Sequence, residues 1–270
     1  MKNIFSLTLI LLCFSCGFVQ AEEYKLSMLP RYFPEKLNAM LKPLAAYLSQ
    51  ETGYKIESVL TDNFASYEAE VLKNNIDIGY ENPLVYVNVS TSHKVIAIAV
   101  KGEGGDKFRG IIISRPDSGI TKLAHLKGKK VMIVSNSSAG GFLSQKMTLM
   151  KNGLDVYRDC ELIEAAENRQ ENVVISVSVG DVDAGFIRES ALHMADEFIM
   201  PGSVQTVIET AWLPNWALSV SRDMPQQQQE AIQKAILKLS RDSTVLQAMG
   251  LTAFVAATDS DYDIMRELVK

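Results

Sequence analysis

An α/β protein of two lobes, each a mainly parallel sheet flanked by helices with a ligand cleft between them, is predicted by three features of this 270-residue chain. Residues 24–100 alternate strand and helix patterns in a β-α-β-α-β-α-β series, the signature of a parallel sheet covered by helices. A second alternating series begins at Val131 and runs to Met200, and a helical tail follows it. The third feature is Val131 to Gly153, VMIVSNSSAGGFLSQKMTLMKNG. Here an apolar strand breaks into a polar, small-residue loop and then into a helical pattern.

Each element has its local reason. Tyr24 to Leu29 alternates and ends at Pro30, so it reads as a strand. Pro34 opens a helix with Leu37, Leu41, Leu44 and Leu48 on one face, and Gly53 ends it. Pro43 falls inside that pattern and is expected to bend the helix or to make Leu44 a restart. Tyr54 to Leu60 is the second strand. Asp62 or Asn63 caps a helix that buries Phe64, Tyr67 and Val71. Ile76 to Tyr80 is a short strand, broken at Glu81-Asn82-Pro83. A helix from Leu84 and a strand from Lys94 to Val100 complete the first series.

A turn at Gly102 to Asp106 and a strand at Phe108 to Ser114 follow, and Arg115 to Gly119 looks like a junction. Beyond the serine loop, Leu143, Met147 and Met150 share one helical stripe. Strands are expected at Cys160–Glu164, Ala184–Ile187 and Glu197–Met200, with helices at Arg169–Val179 and Glu189–Asp196 between them. An extended run from Val204 leads to Trp212-Leu213-Pro214-Asn215-Trp216, and the rest of the chain is helical.

Residues 1–21 read as a secretory signal peptide. Lys2 is the positive end, Ile4 to Phe14 is mostly apolar, and Val19-Gln20-Ala21 places small residues before the cut. Lipoprotein processing at Cys16 is the rival, opposed by the poor lipobox Cys13-Phe14-Ser15. Export to the periplasm follows, with no stable membrane insertion after cleavage, because no later stretch is apolar for the ~18 residues a span needs. The formal charge of –5 becomes one unit more negative once Lys2 is lost. That balance argues against a nucleic-acid surface, so any anion site must be local. Only Cys160 of the three cysteines outlasts the leader, which excludes a disulfide framework and a cysteine metal cluster. His93, His125 and His193 are scattered and form no metal motif, and the methionines read as core filler. A serine hydrolase would need a G-x-S-x-G elbow, and none is present.

The serine loop has a direct chemical reading. Unpaired amides and the positive end of the dipole at a helix N-terminus, with hydroxyls and glycines nearby, form a candidate oxyanion cradle. Its alternative is an ordinary strand-to-helix connection capped by Ser138. In open α/β sheets ligands lie at the carboxyl ends of the strands. The polar breaks Tyr80-Glu81-Asn82, Ser135 to Ser138, and Arg188-Glu189 all fall there.

With these elements placed, the chain resembles the phosphonate/phosphite-type periplasmic binding proteins, the solute-binding subunits of ABC importers. Four stretches carry the resemblance: MLPRYFPEKLNAMLKPLAAYLSQETGYKIE, NNIDIGYENPLVYV, SNSSAGGFL and VGDVDAGFIRES. It implies a type II periplasmic binding protein whose chain crosses between lobes twice. Lobe 1 would be 22–114 plus 214–270, and lobe 2 would be 115–213. It also implies a non-enzymatic binder of a small oxyanion, such as a phosphonate or phosphate ester, with no cofactor or metal and an ABC permease as partner. A monomer is expected. The turns at Arg188-Glu189-Ser190 and Leu213 to Trp216 look closer to a branch serving as sensor-kinase input domains. The alternative partner is therefore the periplasmic domain of a membrane histidine kinase.

By family position, Ser135, Ser137, Ser138 and Gly140 would receive the anionic end of the ligand, with Tyr80, Glu81 and Asn82 facing them from lobe 1. Phe64 stands where a binding tyrosine is common. Glu81 beside the anion either meets a cationic amine on the ligand or is protonated, its alternative being to point to solvent. Arg188 is expected as an anion partner, its alternative being a surface pair with Glu189. Gln170 is expected to be a solvated helix residue, and Trp212 and Trp216 to be core or hinge packing.

Overall fold

The computed structural model describes residues 22–102 and 105–268. The expected signal peptide, with the Cys16 alternative, lies outside the described residues. The chain opens with strand β1 (Glu23–Met28), helix α1 (Pro34–Thr52), β2 (Lys55–Ser58), α2 (Phe64–Leu72), β3 (Ile78–Glu81), α3 (Pro83–Val89) and β4 (His93–Val100). It continues through β5 (Lys107–Ser114), β6 (Lys129–Ile133), a π-helical turn (Ala139–Leu143), α4 (Ser144–Lys151), α5 (Val156–Asp159), β7 (Cys160–Glu164), α6 (Gln170–Val179), β8 (Ala184–Arg188) and β9 (Gln205–Pro214). The last part is β10 (Ala217–Ser221), α7 (Gln226–Leu237), α8 (Thr244–Met249), β11 (Ala253–Ala256) and α9 (Asp263–Leu268).

Two sheets result, ordered β11-β4-β10-β3-β1-β2 and β7-β6-β8-β5-β9. Both are mixed. The strands followed by helices, β1, β2 and β3 in one sheet and β6, β7 and β8 in the other, run parallel with their carboxyl ends at the cleft. The two strands that carry the chain across start at the cleft and must run away from it. Accordingly β5 is antiparallel to β8 and β9, and β10 is antiparallel to β3 and β4.

This moves one boundary. Phe108 to Ser114, expected in lobe 1, is a strand of the second sheet. The outward crossing lies between Val100 and Lys107, not at Arg115. A strand was expected at Glu197–Met200, but these residues form turns, and Phe198 and Met200 are exposed. Helix α1 is continuous through Pro43 and does not restart at Leu44. Six buried side chains, Leu37 to Leu48, seat it on the first core, and that packing outweighs the ~3 kcal/mol a helical proline costs.

The first core lies between sheet one and helices α1, α7 and α8, around Leu26, Met28, Leu41, Leu44, Ile232 and Leu246. The second gathers Ile112, Val131, Ile133, Phe142, Met147 and Phe186. It also takes in Leu84 of α3 and Met265 and Leu268 of α9, so an apolar seam ties the tail to both lobes.

Helix α4 is held by two buried polar side chains. Ser144 Oγ accepts from the Gly110 amide at 2.9 Å and lies 2.6 Å from both Thr210 Oγ1 and the Ala211 carbonyl. Gln145 Nε2 donates to the carbonyls of Ile111, Gly140 and Ile187 at 2.9–3.0 Å, joining β5, the π-turn and β8. A Cβ on Gly110 would lie 2.2 Å from Gln145 Nε2 and 2.6 Å from the Gly140 carbonyl, so only glycine permits this approach. These polar residues take the inward positions of α4. Leu149 is buried, and Met150, expected in the buried stripe, projects to solvent. Replacing Gln145 by Ala strands buried carbonyls at ~1–3 kcal/mol for each left unpaired. We expect Gln145→Ala to lose about 2–4 kcal/mol in chemical denaturation. A loss within error would mean that these bonds do not anchor the turn.

Candidate ligand-binding cleft

Between the sheets lies a cavity of about 590 Å3. Lobe 1 walls it with the β1–α1 loop (Pro30 to Pro34), Asp62 to Phe64, Asn82, Lys101 and Trp216. Lobe 2 contributes Phe108, Val134, Ser138 to Gly140, Glu167 to Glu171, Arg188 and Ser190. The N-termini of α1, α2, α3, α6 and the π-turn therefore converge on it, each presenting amides without acceptors inside the helix.

Four residues named from the sequence line the cavity together with Arg188: Phe64, Asn82, Ser138 and Gly140. Asn82 caps α3 through Oδ1, 3.0 Å from the Val85 amide. Its Nδ2 lies 3.4 Å from the Ser137 carbonyl across the cleft. Ser138 Oγ accepts from the Gly141 amide at 3.0 Å, which leaves its O–H to donate. Gly140 has no room for a side chain, since a Cβ would stand 2.9 Å from Arg188 Cβ and 3.1 Å from Phe108. Ser135 and Ser137 stay within the loop, their hydroxyls 3.3 Å apart, and neither lines the cavity.

Tyr80 and Glu81 are placed differently from the expectation. Tyr80 is buried behind Trp216, with ring centroids 5.2 Å apart, and supports the wall without forming it. Glu81 faces neither ligand nor solvent. Alternation along β3 puts it on the same face as Gly79, turned toward α2. There it is fully buried, and Tyr67 Oη donates to Oε2 at 2.6 Å. A Cβ on Gly79 would lie 2.5 Å from that oxygen, so the glycine makes the room. Burial pushes the Glu81 carboxyl up to about 7, partly opposed by the Tyr67 and Ser219 hydroxyls. Ser219 in turn bonds His93 Nδ1 at 2.8 Å, and burial depresses that imidazole to about 4.

Arg188 does not pair with Glu189. Arg109 takes that carboxylate at 2.6 Å, and Arg188 lies with its guanidinium 4.1 Å over Phe108 and Nη2 3.3 Å from Asn215 Oδ1. Gln170, expected in solvent, accepts from the Arg188 amide at 2.8 Å and lines the cavity. Burial, then the nearby Arg31, lowers the Arg188 guanidinium to about 10.

Sequence reasoning missed the charge of the opposite wall. Arg31 stacks 4.1 Å over Trp216 and 4.7 Å from Tyr32, and its Nε is buried without a partner among the described residues. Trp216, expected as core or hinge packing, is part of the first core and also forms a wall of the cavity. Lys36 lies 4.0 Å over the Tyr32 ring, and Lys101 is half-buried beside them. Burial alone would raise the Tyr32 phenol, but the field of Arg31, Lys36, Lys101 and Arg188 outweighs it and lowers it. The one available signal was Arg31-Tyr32 directly after a strand. At the mouth, Arg169 of lobe 2 stacks 3.9 Å over Phe33 of lobe 1.

Two sheets, a double crossing and a cleft at the strand carboxyl ends define a two-lobed periplasmic binding protein of type II. The chain belongs to the ABC transporter phosphonate periplasmic substrate-binding protein family, whose model it matches over residues 26–262. The phosphate-import protein PhnD of Mycolicibacterium smegmatis is 26% identical over 275 residues, covering 92% of this chain and 85% of that protein. PhnD1 from Prochlorococcus marinus in complex with methylphosphonate superposes with a TM-score of 0.77 at 14% identity, over 92% of this chain and 97% of that one. The periplasmic VFT2 domain of BvgS from Bordetella pertussis has a TM-score of 0.56 at 18% identity, over 84% and 92%. At such identity these two structures speak for the fold alone.

The Glu81 environment has a pH signature. A carboxyl raised in the folded state contributes stability that is complete below its unfolded pKa of 4.5 and is lost as pH rises through about 7. Glu81→Gln keeps an acceptor for Tyr67 and removes the buried charge. Measured by denaturation, the variant should gain on the wild type between pH 4.5 and 8, by up to a few kcal/mol at ~1.4 kcal/mol per pKa unit. A difference that stays constant with pH would place Glu81 in a solvated site.

Proposed function

We propose that the protein is exported to the periplasm, closes its lobes on a small phosphorus oxyanion, and delivers it unaltered to an ABC permease. The ligand class is a phosphonate or phosphate ester, and the protein works as a monomer. The observation that carries this reading is Arg188 lying beside the Ser138–Gly140 turn at the cleft, facing Asn82 from the other lobe. Ser138 and the first amides of the turn supply oriented donors, and Arg188 supplies the countercharge, each charge-assisted bond being worth ~1.5–3 kcal/mol. Family membership supports the same class. Because Glu81 lies behind the sheet, it makes no demand for an amine on the ligand.

The sensor reading rested on the turns at Arg188 and at Pro214 to Trp216. Arg188 and Trp216 here line the cavity, so a ligand grip accounts for both turns without a kinase.

Calorimetry with methylphosphonate, phosphite, phosphate, a sulfonate and thiosulfate tests the ligand class. Phosphorus oxyanions should bind, and Arg188→Gln should weaken them about 10- to 100-fold. Folded protein silent to the whole panel would end the oxyanion reading. Phe33→Ala removes the stacking at the mouth, worth ~0.5–1 kcal/mol at an exposed site. It should speed ligand release in stopped-flow about 2- to 5-fold, and an unchanged rate would show that the contact does not hold the lobes shut.

A further inference from the structure

The cavity holds more positive charge than one phosphorus group needs. Arg31, Lys36, Lys101 and Arg188 share the Tyr32 neighbourhood, and among the described residues none of the four forms an ion pair. The acids at the cavity do not neutralise them. Glu167 pairs with Arg169 at 2.5 Å, Asp62 is exposed at the rim, and Glu171 lies in the first turn of α6. The four cations also belong to opposite walls. Arg188 comes from β8 of lobe 2 and lies over Phe108, with Nη2 3.3 Å from Asn215 of the returning crossing, whereas Arg31 lies 4.1 Å over the Trp216 ring in lobe 1 with its Nε buried and unpartnered among the described residues. Like charges brought together out of water repel unless something negative is placed among them. A monophosphonate at the serine turn brings at most two negative charges to these four cations. Space points the same way, for a cavity of about 590 Å3 exceeds what a one-carbon phosphonate fills.

We propose that the preferred ligand is a phosphonate or phosphate carrying a second ionised acid group, its phosphorus end on Arg188 and the Ser138–Gly140 turn and its second acid on Arg31 of the opposite lobe. This rests on the reading of the cleft as a phosphorus oxyanion site. The stacked guanidinium is pre-oriented and can present two parallel N–H donors to a carboxylate or a second phosphoryl group. A ligand with two acids engages both lobes at once, which is what stabilises a closed state over an open one.

Phosphonoacetate and its amide, phosphonoacetamide, share size and phosphorus group and differ in the second charge. Calorimetry on the full mature chain should give phosphonoacetate at least a tenfold lower Kd than the amide, with a steeper loss of affinity on adding salt. In Arg31→Gln that acid-to-amide ratio should shrink at least fivefold. Should Arg31→Gln not fold, Lys36→Gln and Lys101→Gln are to be compared in the same way, and the ratio should fall in at least one. Equal affinity for acid and amide in the wild type, with both binding, would overturn the second-acid site and leave the oxyanion reading intact. A ratio unmoved by the lobe 1 variants would overturn the role of that wall. No binding of either compound, nor of methylphosphonate, would instead remove the underlying oxyanion reading and this inference with it.

Discussion

The cleft of lobe 2 depends on the burial of Ser144 and Gln145. These side chains bind carbonyls and amides of β5, β8, β9 and the π-turn, where a helix packed by apolar residues alone would leave those groups unpaired. The Gly140 carbonyl is one of the acceptors. The turn that faces the ligand space is therefore fixed from behind by hydrogen bonds with one geometry, and not by dispersion contacts that tolerate sliding. Gly110 is the counterpart in β5, because its missing side chain is the space that Gln145 occupies. A rigid turn can meet an anion without reorganising, which is how uncharged donors become useful to binding.

Against that fixed turn stands a wall whose charge opposes the protein as a whole. The chain carries a formal –5, yet Arg31, Lys36, Lys101 and Arg188 meet at one place. Aromatic faces make this possible. Phe108, Tyr32 and Trp216 lie under the cations, and each stacking offsets part of the desolvation that a buried guanidinium or ammonium suffers. The positive field is short-ranged in an acidic molecule, so it is confined to the cleft instead of spreading over the whole surface.

How much of this was legible depends on whether the controlling contact is local. The alternation of strands and helices was readable from Tyr24 onward, because periodicity within an element records which face is buried. The anion turn was readable as well, since hydroxyls and glycines before a helical pattern have a local meaning. Three things were not. Placing β5 in the second sheet depends on its pairing with β8 and β9, which no feature of Phe108 to Ser114 announces. The side to which Glu81 turns depends on the pleat of β3 and the hydroxyl of Tyr67, fourteen residues away. The lobe 1 cluster joins Arg31, Lys36 and Lys101 around Tyr32, with Arg31 resting on a tryptophan at 216, and a count of charges along the chain dilutes it.

Asn215 occupies the returning strand crossing, where its side-chain oxygen accepts from Arg188 and its backbone carbonyl accepts from Tyr262 beside α9. The same residue thus touches both a cation of the cleft and the tail that packs on the crossing. A change at the Arg188 guanidinium is therefore felt at the crossing directly, with no relay through intervening helices. Substitution at position 188 would then disturb the bonding of the joint as well as the charge of the cleft.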